Sequence, residues 1–201
     1  MLYFDLISND INMLTHFIKS INWVDVALVV LLVRVIFIGV KNGFIAEVCK
    51  FLGVFVALFV SLHYYSVLAA KIHGAVHGSL AVWEFVSFIL LVITGYGLFW
   101  AIRLGLSLLF KAETQHEGFD KYAAGLLSIG RGFLTASLVV FGLLLTAHPW
   151  ISHQTFHSVA FRLIGKTASH TYSLVFHQVV DKLFAGQHFN DTVYQVVSET
   201  K

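Results

Sequence analysis

The sequence predicts an all-α, polytopic membrane protein with about four transmembrane helices and amphipathic interfacial helices at the N-terminus and the C-terminus. Two observations carry that expectation. The chain of 201 residues is 58% hydrophobic and 12% charged, with a mean hydropathy of +0.81. A soluble domain is usually about 45–50% apolar and about 25% charged. Too few charges remain to cover a globule, so lipid must cover the rest. The second observation is four apolar stretches, at about 23–40, 44–62, 82–102 and 123–147. Each approaches or exceeds the roughly 20 residues that cross a hydrocarbon core. Backbone groups cannot stay unpaired in lipid, so each stretch is read as a helix. The alternation of a membrane barrel is missing, and the single proline suits long helices.

The first span follows an extension, residues 1–21. Ile7, Ile11, Leu14, Ile18 and Ile21 make one apolar stripe there, with Asp10, Asn12 and Lys19 off it. A positive start, a compact apolar middle and a small-residue cleavage site are all missing, so the first span is expected to remain as an uncleaved anchor. The four-span membrane domain covers 22–147. Inside it, Lys41-Asn42-Gly43 makes a very short turn. The connection 63–81 reads as a weak amphipathic helix with Leu68, Ile72, Val76 and Leu80 in line, and 111–121 reads as a solvent loop.

A histidine-rich amphipathic tail covers 148–201. Tyr172, Val175, Phe176, Val179, Val180, Leu183 and Phe184 form one stripe, and Gly186 ends it. Phe156, Val159, Ala160, Leu163 and Ile164 form a shorter one. Two readings stay open for all these terminal helices. Either they lie in the membrane interface, or they pack on each other or on a partner.

Charges inside a bilayer cost about 2.5–3.5 kcal/mol each on insertion scales, so each needs a reason. Four stand out: Arg34, Glu47, Lys50 and Arg131. Arg34 lies about seven residues before the centre of the turn and Glu47 about six after it. In a tight antiparallel hairpin they share a depth and can face each other as a bidentate pair. The competing reading has each snorkelling separately to the nearby interface. Lys50, one turn after Glu47, is placed to share its carboxylate. Arg131 sits between Gly130 and Gly132, where a second backbone can approach and offer carbonyls. Asp25 and Glu84 begin their spans, where the helix dipole favours a carboxylate, and are read as caps or anchors.

Small residues recur at a spacing of four. Ala124, Ser128, Gly132 and Ala136 line the fourth span; Gly53, Ala57 and Ser61 line the second; Gly39 and Gly43 bracket the turn. With Gly125 and Gly130 these are the expected close-packing positions, because apolar burial alone does not drive helices together in lipid.

Several function classes drop out. A net charge of +2 without a basic block speaks against nucleic acid as a partner. The lone Cys49 allows neither an intramolecular disulfide nor a cysteine-based zinc site. Of the 11 histidines, only His73/His77 and His153/His157 have the spacing that puts two imidazoles on one metal. No carboxylate or cysteine stands at a fixed spacing from either pair, so no metal site is assigned. The histidine-rich side is read as polar interfacial residues, with pH sensing or weak metal binding as the alternative. No phosphate-cradling loop, nucleophile elbow or metalloprotease helix is present. Gly95-Tyr96-Gly97 lies within a span and cannot serve as a nucleotide loop. No cofactor and no enzymatic activity are expected.

Asn22-Trp23-Val24-Asp25, an apolar run, then Gly39, Lys41, Gly43-Phe44, Glu47 and Leu52-Gly53 resemble the opening of the colicin V production protein (CvpA) family. Phe119-Asp120-Lys121, Gly125 and Gly130-Arg131-Gly132 resemble a second block of that family. The resemblance covers most of residues 22–145. It implies a multi-pass bacterial inner-membrane protein linked to colicin V production and to envelope maintenance. The extension and the histidine-rich tail depart from the usual family pattern.

Two functions compete. One is a non-enzymatic scaffold or accessory factor for envelope homeostasis and toxin production or secretion. The other is a small oligomeric transporter or channel with Arg34, Glu47 and Arg131 lining the path. Expected partners are the lipid bilayer and either a second copy or another membrane protein. Lysines and arginines near the span ends balance at four on each side, so the positive-inside rule does not orient the chain.

Overall fold

The structure, a computed structural model, describes residues 21–109, 117–146, 148–184 and 186–198. The apolar stripe of residues 7–18 therefore lies outside the described residues. Four long helices form the body: α1 (Trp23–Asn42), α2 (Phe44–Ala75), α3 (Leu80–Leu109) and α4 (Glu117–Leu145). All four contain a segment long and apolar enough to cross a membrane. The tail forms α5 (Pro149–His157), α6 (Val159–Ile164) and α7 (Thr167–Val175). A π-turn at Phe176–Val180 carries α7 into the short α8 (Asp181–Leu183), and α9 (Thr192–Ser198) follows. No strand occurs among the described residues.

Sequence sets the helix ends. Asn22 caps α1 by accepting from Val24 N and Asp25 N, while Asp25 reaches back to Asn22 N, a reciprocal capping box. Gly43 holds φ +77°, a backbone conformation that suits glycine, and so reverses the chain in a single residue between α1 and α2. The expected helix in the 63–81 connection is not separate. Its first part continues α2 to Ala75, while Val76 caps that helix and Leu80 begins α3. The result for α2 is a helix of 32 residues, about 48 Å long by helix rise. That exceeds a hydrocarbon core of about 30 Å, so the end of α2 away from Gly43 overhangs the core. The expected solvent loop at 111–121 is also shortened, because α4 is already helical from Glu117. Helical residues there continue the backbone ladder toward the span, which polarity alone does not reveal.

The helices do not pack in chain order. Long contacts join α2 to α3 and α4 to α1, and α4 also lies along α2, whereas α1 and α2 make little contact despite their one-residue link. Across the bundle the order is therefore α1, α4, α2, α3. Small residues make these approaches close. A Cβ on Gly95 would come within 2.9 Å of the Ala57 backbone, and one on Gly53 within 3.2 Å of Phe99. On the other side, a Cβ on Gly39 would overlap Ser128, and Gly132 faces Leu32 at 3.0 Å. Gly125 faces Val40 at 3.5 Å and Gly130 faces Phe51 at 3.3 Å.

The tail closes the end of the bundle opposite Gly43. Tyr172, Phe176, Val180 and Val193 join Leu58, Leu62, Tyr65, Phe88 and Phe141 in one core. Ile164 joins Val24, Leu28, Ala136 and Val140 in a second. The inner residues of the tail stripes thus pack within the chain. Their outer residues, Leu163, Val179, Leu183 and Phe184, stay exposed.

Gly95→Leu is expected to force α2 and α3 apart and to lower the thermal unfolding midpoint in detergent, at an overpacking cost of about 1–3 kcal/mol. Gly97→Leu meets nothing within 4 Å and serves as the control; equal midpoints for the two variants would contradict this packing.

Candidate functional site: a buried ion-pair centre and its polar anchors

The carboxylate of Glu47 is fully buried, one turn into α2. Its Oε2 accepts from Arg131 Nε at 2.9 Å and lies 2.8 Å from Arg131 Nη2. Its Oε1 accepts from Lys50 Nζ at 2.7 Å, with the Asn42 amide at 3.5 Å. Arg131 Nη2 also donates to the Val35 carbonyl of α1 at 3.3 Å. Three helices therefore meet at one carboxylate. A buried carboxylate without such donors would carry a penalty of several kcal/mol. Counting Glu47 as −1 against Lys50 and Arg131 as +1 each, the centre keeps a net charge of +1.

Arg34 does not join it. The equal-depth argument assumed that α1 and α2 lie side by side, but the small-residue face of α4 packs against α1 instead. The partner of Glu47 arrives on that face, as Arg131. Arg34 points outward from α1, exposed among Val30, Val33 and Phe37, and forms no ion pair among the described residues. Ser128 turns its hydroxyl back to Gly125 O at 2.8 Å, which keeps a polar atom satisfied where Gly39 packs. The side chain of Asp120 lies outside the described residues.

At the other end of α1, the Asn-Trp-x-Asp stretch does more than cap a helix. Asn22 Nδ2 donates to Gln154 O of α5 at 2.6 Å, and Asp25 Oδ1 accepts from Ala160 N of α6 at 2.7 Å. Trp23 stacks on Trp150, with ring centroids 5.9 Å apart. The motif thus ties the first span to the tail. Glu84, near the start of α3, also has an interaction partner.

A second tie holds the overhang of α2. Tyr172 O accepts from Asn190 N at 3.0 Å, and its hydroxyl is hydrogen-bonded to His63 Nδ1, 2.9 Å away. On its other side the ring is hydrogen-bonded through Nε2 to the Gln187 side chain at 3.2 Å. Asn190 Nδ2 donates to Leu62 O at 2.8 Å, Thr192 donates to Asn190 Oδ1 at 2.6 Å, and Tyr65 donates to Thr192 at 2.8 Å. Burial pushes the Tyr172 phenol up to about 12, with the Asn190 hydrogen bond acting against that rise.

The histidine pairs behave differently. His153 and His157 stack with centroids 4.1 Å apart, while His73 lies in the last turn of α2 and His77 lies beyond its end. Among the described residues no group of three or more histidine, cysteine or acidic side chains could hold a metal ion. The sequence does not signal the roles of His63, Tyr172, Asn190 and Gly95. Tyr172 and Asn190 reach His63 across 109 and 127 residues of chain, which no local spacing reveals.

Four membrane-spanning helices, three of them meeting at a buried carboxylate, with a folded tail pinned to one end, define a polytopic helical membrane protein. The model of the colicin V production protein family matches residues 24–169. The chain belongs to that family, and so to membrane proteins involved in colicin V production. The match runs past the last span into α7, so the first two tail helices fall within the family pattern. No curated protein and no solved structure matches the chain.

Arg131→Gln leaves Glu47 with a deficient set of donors and is expected to cost about 3–5 kcal/mol, read as a lower unfolding midpoint in detergent. The double variant Glu47→Gln/Arg131→Gln should recover part of that loss, and Arg34→Gln should barely move the midpoint. For Tyr172, a phenol raised above its ordinary value of 10.0 favours the folded state while neutral. That contribution is complete below pH 10 and fades as pH rises through about 12. Phenolate absorbance of the folded protein near pH 12 should fall by one tyrosine's contribution in Tyr172→Phe.

Proposed function

We propose that this protein is a non-enzymatic scaffold of the bacterial inner membrane, an accessory factor for envelope homeostasis and for producing or secreting colicin V. The supporting observation is the outward face of α1. Glu47, Lys50 and Arg131 are engaged with one another, and the glycine faces of α2 and α4 are taken up by packing within the chain. What α1 leaves for another helix is an apolar surface, with Val26, Val29, Val30, Val33 and Phe37 each 56–62% exposed. Arg34 stands in its midst.

A lipid-facing arginine costs about 2.5–3.5 kcal/mol at a helix centre, and a carboxylate on a neighbouring helix offsets that cost. Among the described residues, a second copy is poorly suited to supply it. Glu47 is fully buried, while Asp25 and Glu84 sit at the opposite end of the spans. A different membrane protein with an intramembrane acid fits better. For transport, Arg34, Glu47 and Arg131 would have to share a path, and an outward Arg34 speaks against that.

Arg34→Leu should abolish colicin V production in a complemented null strain and remove a co-purifying membrane partner, with abundance and unfolding midpoint unchanged. Full activity of Arg34→Leu, or flux of an ion or solute through the purified protein in liposomes, would overturn the scaffold reading.

A further inference from the structure

An apolar groove of about 440 Å³ opens on the lipid-facing side of the bundle, within the range of roughly 300–1,000 Å³ usual for small-molecule sites. Its walls come from α2, α3 and α4, including Val54, Phe88, Val92, Leu138 and Val139. One end is different. There Arg131 lines the groove, beside Val35 of α1. The contacts of Arg131 with Glu47 and Val35 use Nε and Nη2, and Nη1 carries two further N–H donors.

The charge count matters here. The Glu47 centre keeps one positive charge in excess, shared between Lys50 and Arg131, and Arg131 also lines the apolar groove. A cation in low dielectric draws an anion far more strongly than it would in water. The groove offers a path for one. From Arg131 to Leu143, another lining residue, α4 advances about 18 Å by helix rise, slightly more than the thickness of one leaflet, about 15 Å. Depth fits as well. Glu47 lies four residues past the turn at Gly43, about 6 Å along the helix, so a headgroup reaches the centre from the nearer leaflet.

We infer that this groove binds a single-chain anionic amphiphile, a long-chain carboxylate. The carboxylate sits on the Arg131 guanidinium and the chain lies along α4 toward Leu143. One excess charge and one groove of about a leaflet's length match one carboxylate and one chain. Burial of the chain adds to the affinity only where the groove fits better than bulk lipid, so the charge supplies the selectivity.

The test uses the full-length protein reconstituted in phosphatidylcholine bilayers, with spin-labelled stearate, phosphatidylglycerol and phosphatidylcholine as probes. Stearate, at a pH where it is ionised, should show a motionally restricted population about tenfold enriched over phosphatidylcholine, the factor one charge-assisted hydrogen bond supplies. Val139 is 40% exposed on the groove wall, so Val139→Trp fills the groove from its rim. That variant should keep the wild-type unfolding midpoint and lose the stearate enrichment. Equal restriction of stearate and phosphatidylcholine in the wild type would overturn the inference. So would phosphatidylglycerol restricted as strongly as stearate, or enrichment that survives in a folded Val139→Trp.

Discussion

The fold turns on one constraint: a carboxylate fully buried in a membrane-spanning bundle must be surrounded by donors. Glu47 cannot meet that requirement within its own hairpin. Lys50 reaches only one of its oxygens, and Arg34 is on the wrong side of α1. The second oxygen is reached by Arg131, from the fourth helix in the chain. For that to happen α4 must lie against both α1 and α2, which separates two helices joined by a single glycine. The backbone at Val35 then falls within reach of the same guanidinium, so the centre fixes three helices at once. Close approach is possible because Gly39, Ser128 and Gly132 leave room where α1 and α4 cross. The charge chooses the neighbour, and the small residues permit the contact.

The opposite end is held by a different means. Between helices in lipid there is little apolar driving force, so polar contacts carry more of the specificity. Asn22 and Asp25 spend the polar groups of a helix cap a second time, on the backbones of α5 and α6. His63, Tyr172 and Asn190 form a connected hydrogen-bond chain, and Ser137 Oγ accepts from Ala168 N at 2.8 Å. Each of these joins a span to the tail. The tail is therefore part of the folded core, and its exposed apolar residues lie on the outer side of that docked layer.

How much of this the sequence carried depends on the range of the interaction. The four spans were legible because hydropathy integrates over about twenty residues of one helix. Asp25 was legible as a cap too, since the Asn22 N–H it accepts from is three residues away. Lys50 sharing Glu47 follows from helical spacing, and Arg131 meeting a carbonyl follows from its flanking glycines. The pairing of Glu47 was misread because equal distance from a turn implies contact only if the two helices pack together. The full length of α2 was hidden for another reason. His63, Tyr64, Tyr65 and Ser66 interrupt the apolar run, and hydropathy reports the solvent a segment meets, not whether its backbone remains helical. The tail stripe announced helices, but its docking rests on Asn190 and Thr192, two polar residues whose partners no periodicity reveals.

Arg34 and Arg131 show how little of an intramembrane charge is decided by its own segment. Both sit well inside apolar helices, and both pay the same intrinsic cost of insertion. Arg131 lies on the small-residue face that packs inward, so a carboxylate and a carbonyl reach it. Arg34 lies on a face of valines and a phenylalanine that no described helix of the chain covers. Side chains on a helix tilt toward its N-terminus, which for Arg34 is away from the nearer end at Asn42 and toward the bilayer centre. Snorkelling to that nearer interface therefore runs against the geometry of the Cα–Cβ bond. A charge so placed is poorly relieved by its own chain, and that asymmetry, more than the hydrophobicity of α1, separates a surface built for contact with protein from one built only for lipid.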